Sequence, residues 1–175
     1  MSTERRARIS ARKRTSGAGS PVAGGRYLEY FAVGQRVDEE RIKSFAAEFD
    51  PQPFHLNADA ARTSILGGLA ASGWHTAALA MRLLVESDLK PAGGIIGVGF
   101  DELRWPRPVR PGDELRLESE VLDVRPSKSR PQQGLIKVRI TALNQNGEAV
   151  QVLVANLMVP RRSNNMPRES SVKAG

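Results

Sequence analysis

The chain has 175 residues, two histidines, no cysteine and a formal net charge of +7. That length suffices for one domain with a real core and is short for two. The lack of cysteine excludes disulfides, thiolate metal sites and a cysteine nucleophile, and it fits a reducing, cytoplasmic setting.

The basic excess sits at the two ends. Residues 1–26 carry +6 and residues 161–175 carry +3, which leaves −2 over residues 27–160. The folded part is therefore slightly acidic, and nucleic-acid binding is confined to whatever the tails can do. Residues 1–25 are rich in Ser, Gly and Ala without apolar periodicity, so they read as a disordered basic tail. No apolar h-region follows the arginines, which argues against a secretory signal. An Arg- and Ser-rich, acid-poor leader also has the make-up of an organelle transit peptide, but a solvated tail is the preferred reading. Residues 162–175 read as a second disordered tail, so the folded domain is expected over residues 26–161.

The first predicted element is a short strand, Tyr27 to Phe31, ended by Gly34. Asp38 can then cap a helix over Glu39–Phe49, where Ile42, Phe45, Ala46 and Phe49 recur at helical spacing. Pro51 should stop that helix at Asp50. Asn57 or Asp59 opens another short turn through Ala61 and Arg62. Ser72 or Thr76 caps a longer helix running to about Asp88, apolar on nearly all sides and so expected to be wrapped by other structure. The stretch Ile65–Met81 has no formally charged residue, but its glycines, Ser72, His75 and Thr76 make it a buried helix region rather than a membrane span.

After Gly94 the pattern changes to sheet. Ile95–Trp105, Glu114–Glu118, Leu135–Leu143 and Ala149–Val159 are strand candidates, the middle two with period-two alternation. Pro111-Gly112-Asp113 and Asn144-Gln145-Asn146-Gly147 are turns, the second a hairpin turn. One strand, helices, a long buried helix and four antiparallel strands make an α+β fold, with the helix held by a curled sheet.

Chemistry concentrates in Phe49-Asp50-Pro51-Gln52-Pro53-Phe54-His55. A carboxylate and an imidazole on a loop stiffened by two prolines can hold a water molecule, take its proton and return one. The alternative is a helix-ending turn whose Asp caps a neighbour and whose His is packed. Ser72-Gly73-Trp74-His75 opens the long helix, where free N–H groups and the positive dipole end face outward. A glycine there lets another molecule's oxygen approach the backbone, or only relieves crowding between helix and sheet. His75 reads as structural and Trp74 as core. Two histidines twenty residues apart make no metal set, and neither a phosphate-binding glycine fingerprint nor a serine-hydrolase elbow is present.

Asp50-x-Gln52-Pro53-Phe54-His55, with Ala61 six residues after the histidine, resembles the hydratase signature of MaoC-like proteins, the hot-dog-fold (R)-specific enoyl-CoA hydratases and dehydratases. Here Gln52 stands where the family commonly has Asn, Phe54 where it has an aliphatic residue, and Phe49 where Gly often precedes the aspartate. Tyr30–Gly34, Ala71–His75 and Pro108–Asp113 are similar to the family as well, so the likeness covers roughly Tyr27 to Arg161. The resemblance implies a single hot-dog domain, an antiparallel curved sheet wrapped around a long central helix. It implies that Asp50 and His55 activate water for addition to C3 of a trans-2-enoyl thioester, with the Gly73 amide polarising the carbonyl. Gln52, Phe54, Ser72 and Trp74 are then substrate-side residues. It also implies an acyl-CoA or acyl-carrier-protein substrate, no metal or other cofactor, and a homodimer or dimer of dimers. The competing functions are a non-catalytic acyl-thioester binder and a hot-dog thioesterase.

Overall fold

In the computed structural model, residues 30–161 apart from 88 and 90–93 are described. The two tails, and the disorder expected of them, lie outside those residues. Strand β1 (Tyr30–Arg36) leads into helices α1 (Glu39–Phe49), α2 (Pro53–Leu56), α3 (Ala58–Arg62) and α4 (Gly73–Glu86). Strands β2 (Ile96–Arg104), β3 (Glu114–Pro126), β4 (Gln133–Leu143) and β5 (Ala149–Pro160) follow. All strand pairs are antiparallel, in the order β1-β3-β4-β5-β2. The expected α+β architecture is present.

Local chemistry explains most boundaries. The Asp38 carboxylate accepts from the Arg41 amide at 2.7 Å and caps α1. Pro51 blocks the next turn, and Pro53 starts α2 at a position where its missing N–H costs nothing. Asn57 accepts from the amides of Asp59 and Ala60 and caps α3. Of the two candidate caps for α4, Ser72 is the one that acts: its Oγ accepts from the Trp74 amide at 3.2 Å. In the β4–β5 hairpin, Gly147 adopts φ +78°, whereas no described non-glycine residue has positive φ. Asn-Gly therefore closes a longer loop, with Gly147 in the left-handed position of a bulge, rather than a two-residue turn.

Two expectations change. Strand β1 does not end at Gly34 but runs to Arg36, because a bulge between Ala32 and Gln35 lets pairing with β3 resume. Helix α4 is not buried on every side. His75, Thr76, Leu79, Ala80, Leu83 and Leu84 face the core, whereas Trp74, Met81 and Val85 are exposed. Hydrophobicity alone does not report which face the sheet covers.

The core lies between α4 and the inner face of the sheet. Leu115 and Leu117 of β3, and Val138, Ile140 and Ala142 of β4, alternate inward with charged neighbours outward. Ile42 and Ala46 of α1 close one end. Each fully buried Leu or Ile contributes about 1.5–3 kcal/mol relative to exposure. That packing fixes the amino end of α4 against the loop that follows α1. No helix among the described residues is long and apolar enough to cross a membrane.

Candidate active site

Asp50 is the residue on which α1 ends. Its amide donates to the Ala46 carbonyl at 3.0 Å, while φ −153° and ψ 67° turn the chain out of the helix. Two residues later the Gln52 amide donates to the Asp50 carbonyl at 2.7 Å, and the His55 amide to the Gln52 carbonyl at 2.9 Å. The two prolines thus fold the segment into a tight bend with the Asp50 and His55 side chains on one side. His55 Nε2 lies 3.5 Å from Asp50 Oδ2.

Both groups are held from elsewhere in the fold. Ser72 Oγ donates to Asp50 Oδ2 at 2.6 Å, and Gln52 Nε2 donates to Oδ1 at 2.8 Å. Donation from Ser72 and then from Gln52, with the nearby imidazole, holds the Asp50 carboxyl below the usual carboxylate range; burial opposes the shift. Asp50 is therefore an anion at neutral pH. His55 Nδ1 sits 2.8 Å from the Ala70 carbonyl oxygen. A carbonyl only accepts, so Nδ1 carries a proton, and in the neutral form of the ring Nε2 keeps its lone pair toward Asp50. Phe54 packs edge-on against the ring, with centroids 4.6 Å apart.

His55 and Gly73 share the wall of a cavity of about 380 Å³, with Phe54, Leu66, Trp105 and Arg107 among its other walls. Asp50 and Ser72 are outside that lining and join it through the contact with His55. A wider hollow of about 630 Å³, along α1 between Glu39 and Leu56, touches none of these groups. Gly73 is the first residue of α4, so its amide has no intrahelical acceptor. The missing side chain has a packing reason too: a Cβ there would lie 2.9 Å from two ring atoms of Trp105.

The other residues singled out from the sequence fall as follows. Ser72 is wholly buried, and its hydroxyl is shared between the α4 cap and Asp50. Gln52 is exposed and bonded to the same carboxylate. Trp74, expected in the core, is 57% exposed and meets Trp105 edge-on at 5.6 Å. His75 is buried and stacked on Phe45 at 4.7 Å. Burial, and then the nearby Arg41, hold it below the ordinary imidazole range against the pull of Asp38. Among the described residues no three His, Cys, Asp or Glu side chains gather as a metal set. Sequence reasoning missed Trp105 and the Ala70 carbonyl, which meet Gly73 and His55 only through the tertiary fold.

The family profile described as MaoC like domain matches residues 28–143. The chain belongs to that family. A crystal structure of a MaoC-like dehydratase from Rhodospirillum rubrum is 54% identical, covers 81% of this chain and 95% of its own, and superposes with a TM-score of 0.75. The unliganded R-hydratase PhaJ1 from Pseudomonas aeruginosa is 29% identical, covers 85% of this chain and 92% of its own, with a TM-score of 0.57. A mesaconyl-CoA hydratase from Cereibacter sphaeroides is 41% identical over 73 residues, which are 42% of this chain and 21% of that protein. The chain thus spans about a fifth of that relative. MaoC-like membership and the hot-dog fold of these neighbours agree with the architecture above.

Proposed function

We propose that this MaoC-like protein is a hydro-lyase that adds water to a trans-2-enoyl-CoA, or in reverse dehydrates a 3-hydroxyacyl-CoA. The observation that carries the reading is the Asp50–His55 pair beside an apolar cavity, with the imidazole proton held on Nδ1 by Ala70. In the neutral form of the ring two acceptors, a carboxylate oxygen and a bare Nε2, face each other at 3.5 Å. A water molecule donating one O–H to each satisfies both and presents its own lone pair to C3 of the acyl chain. Nε2 takes a proton as the C3–O bond forms, and the C2=C3 electron pair moves onto the thioester carbonyl as an enolate. The Gly73 amide, at the positive end of α4, donates to that oxygen. The imidazolium then gives its proton to C2, so one water has been added and the pair is restored. Acid–base assistance supplies ~10²–10⁴-fold in rate.

Gln52 and Ser72 act in this reading through the carboxylate they hold, close to but not against the acyl chain. Phe54 and Trp74 are assigned contacts with the acyl thioester. The reaction itself needs no metal or redox group, since the activating thioester comes with the substrate. The hydratase names of two relatives support the class. Two copies are proposed to associate as a homodimer, because Val98 and Phe100 of edge strand β2 and Trp74, Met81 and Val85 of α4 are exposed apolar side chains.

Loss of the conjugated enoyl absorbance after addition of a short trans-2-enoyl-CoA tests the reading. The native chain is expected to consume it, and Asp50→Asn and His55→Ala to lower kcat by ~10²–10⁴-fold. Release of free thiol would assign a thioesterase instead. No turnover at any chain length would leave an acyl-thioester binder.

A further inference from the structure

We infer that Arg110 is a positioning residue for His55: it orients the backbone carbonyl that keeps the imidazole proton on Nδ1. The inference rests on the reading of Asp50 and His55 as the water-activating pair. The Ala70 carbonyl lies in a segment, residues 63–72, that forms neither helix nor strand. That segment includes Gly67 at φ +64°, a left-handed conformation that glycine adopts without strain and with the largest loss of freedom. Something outside it must decide which way its carbonyls point.

Arg110 does so from more than forty residues away. Its Nη1 donates to the Gly68 carbonyl at 2.5 Å and to that of Leu69 at 3.1 Å, and its Nη2 donates to the Leu66 carbonyl. The residue before it, Val109, accepts from the Ala71 amide at 2.8 Å. The peptide carrying the Ala70 carbonyl is thus held through its own N–H by Val109, and the peptide just before it, through the Leu69 carbonyl, by the Arg110 guanidinium. Its remaining freedom is small, and the carbonyl meets His55 Nδ1 at 2.8 Å.

The backbone that carries this side chain is itself anchored. The Arg110 amide donates to Asp113 Oδ2 at 2.7 Å, and the Asp113 amide donates back to the Arg110 carbonyl at 3.1 Å. Gln145 donates to the other oxygen of the buried Asp113 at 2.9 Å. Among the described residues Arg110 has no carboxylate partner for its guanidinium; its donors go to backbone carbonyls. A planar fork with five donors can span three carbonyls at once, which a lysine ammonium on a flexible stem cannot reproduce.

The test uses the full chain, ¹⁵N-labelled, as native protein, Arg110→Lys and Arg110→Met. Long-range imidazole ¹⁵N–¹H correlations distinguish a ring protonated on Nδ1 from one protonated on Nε2. The chain's two histidines make His75 an internal control. In native protein His55 is expected to be protonated on Nδ1. In Arg110→Met the two tautomers of His55 should exchange while the His75 signals stay in place. The same variant should lower kcat for a short trans-2-enoyl-CoA by about 10- to 100-fold with little change in KM. Arg110→Lys should fall between. The inference is overturned if His55 keeps its tautomer in Arg110→Met, or if His55 and His75 change together in both variants, which would mark a merely structural arginine. If the native chain turns over no enoyl thioester yet the tautomer shifts as expected, the positioning role stands and the hydratase reading falls.

Discussion

At the scale of single residues, the site turns on what surrounds one carboxylate. Asp50 and His55 were legible as a pair because two prolines and five residues of spacing confine them. The hydroxyl that matters most to Asp50 was not, because Ser72 lies 22 residues away and arrives only through packing. Ser72→Ala removes the strongest influence lowering the Asp50 pKa, so that pKa should rise. The acid limb of the pH dependence of kcat/KM is expected to move to higher pH in Ser72→Ala. Loss of the helix cap alone, worth about 0.5–2 kcal/mol, would lower Tm without moving that limb. The sign for stability follows the same shift. The folded pKa of Asp50 lies below its unfolded value, so its contribution is fully present above the unfolded pKa and is lost as pH falls through the lower, folded one. Acid unfolding of native protein against Ser72→Ala measures that difference.

At the scale of elements, α4 shows where pattern reading stops. Its start could be narrowed to Ser72 or Thr76 and its length read from the apolar run, because caps and periodicity act within a few residues. The division of its surface between core and solvent was invisible, since Trp74, Met81 and Val85 are as apolar as the residues beneath the sheet. Strand β1 was shortened in the reading for a related reason: a glycine in a bulge looks like a glycine at a strand end. Gly73 joins the two scales. A methyl group at Gly73 would press on the Trp105 ring, and overpacking of this kind costs about 1–3 kcal/mol. Gly73→Ala is therefore expected to lower Tm, and Trp105→Leu in the same chain to recover most of the loss. An unchanged Tm in Gly73→Ala would show that the ring yields freely.

At the scale of the whole molecule, sheet order places β1 and β2 at the edges, with one side of each strand left without a partner among the described residues. Strand β2 has Ile96, Val98 and Phe100 exposed, an arrangement that soluble proteins usually cover or charge. Covering by a second copy would extend the sheet and bury the outer face of α4 as well. Light scattering coupled to size exclusion is expected to give the mass of a dimer or a dimer of dimers. Phe100→Glu should shift the chain toward monomer, with at least ~10-fold weaker association. A monomer in the native chain would remove the proposed interface.

What the amino-acid order determined unaided were the features built from neighbours: the proline bend, the cap at Asp38, the alternation of β3 and β4, and the placing of an acid near a base. These depend on interactions spanning a handful of residues, so spacing encodes them. Tertiary structure alone decided which carbonyl holds the imidazole, which hydroxyl holds the carboxylate, and which ring fills the space beside Gly73. Those contacts join residues 15 to 32 positions apart, and their geometry exists only once the sheet has closed on α4 and brought the loops at its amino end together.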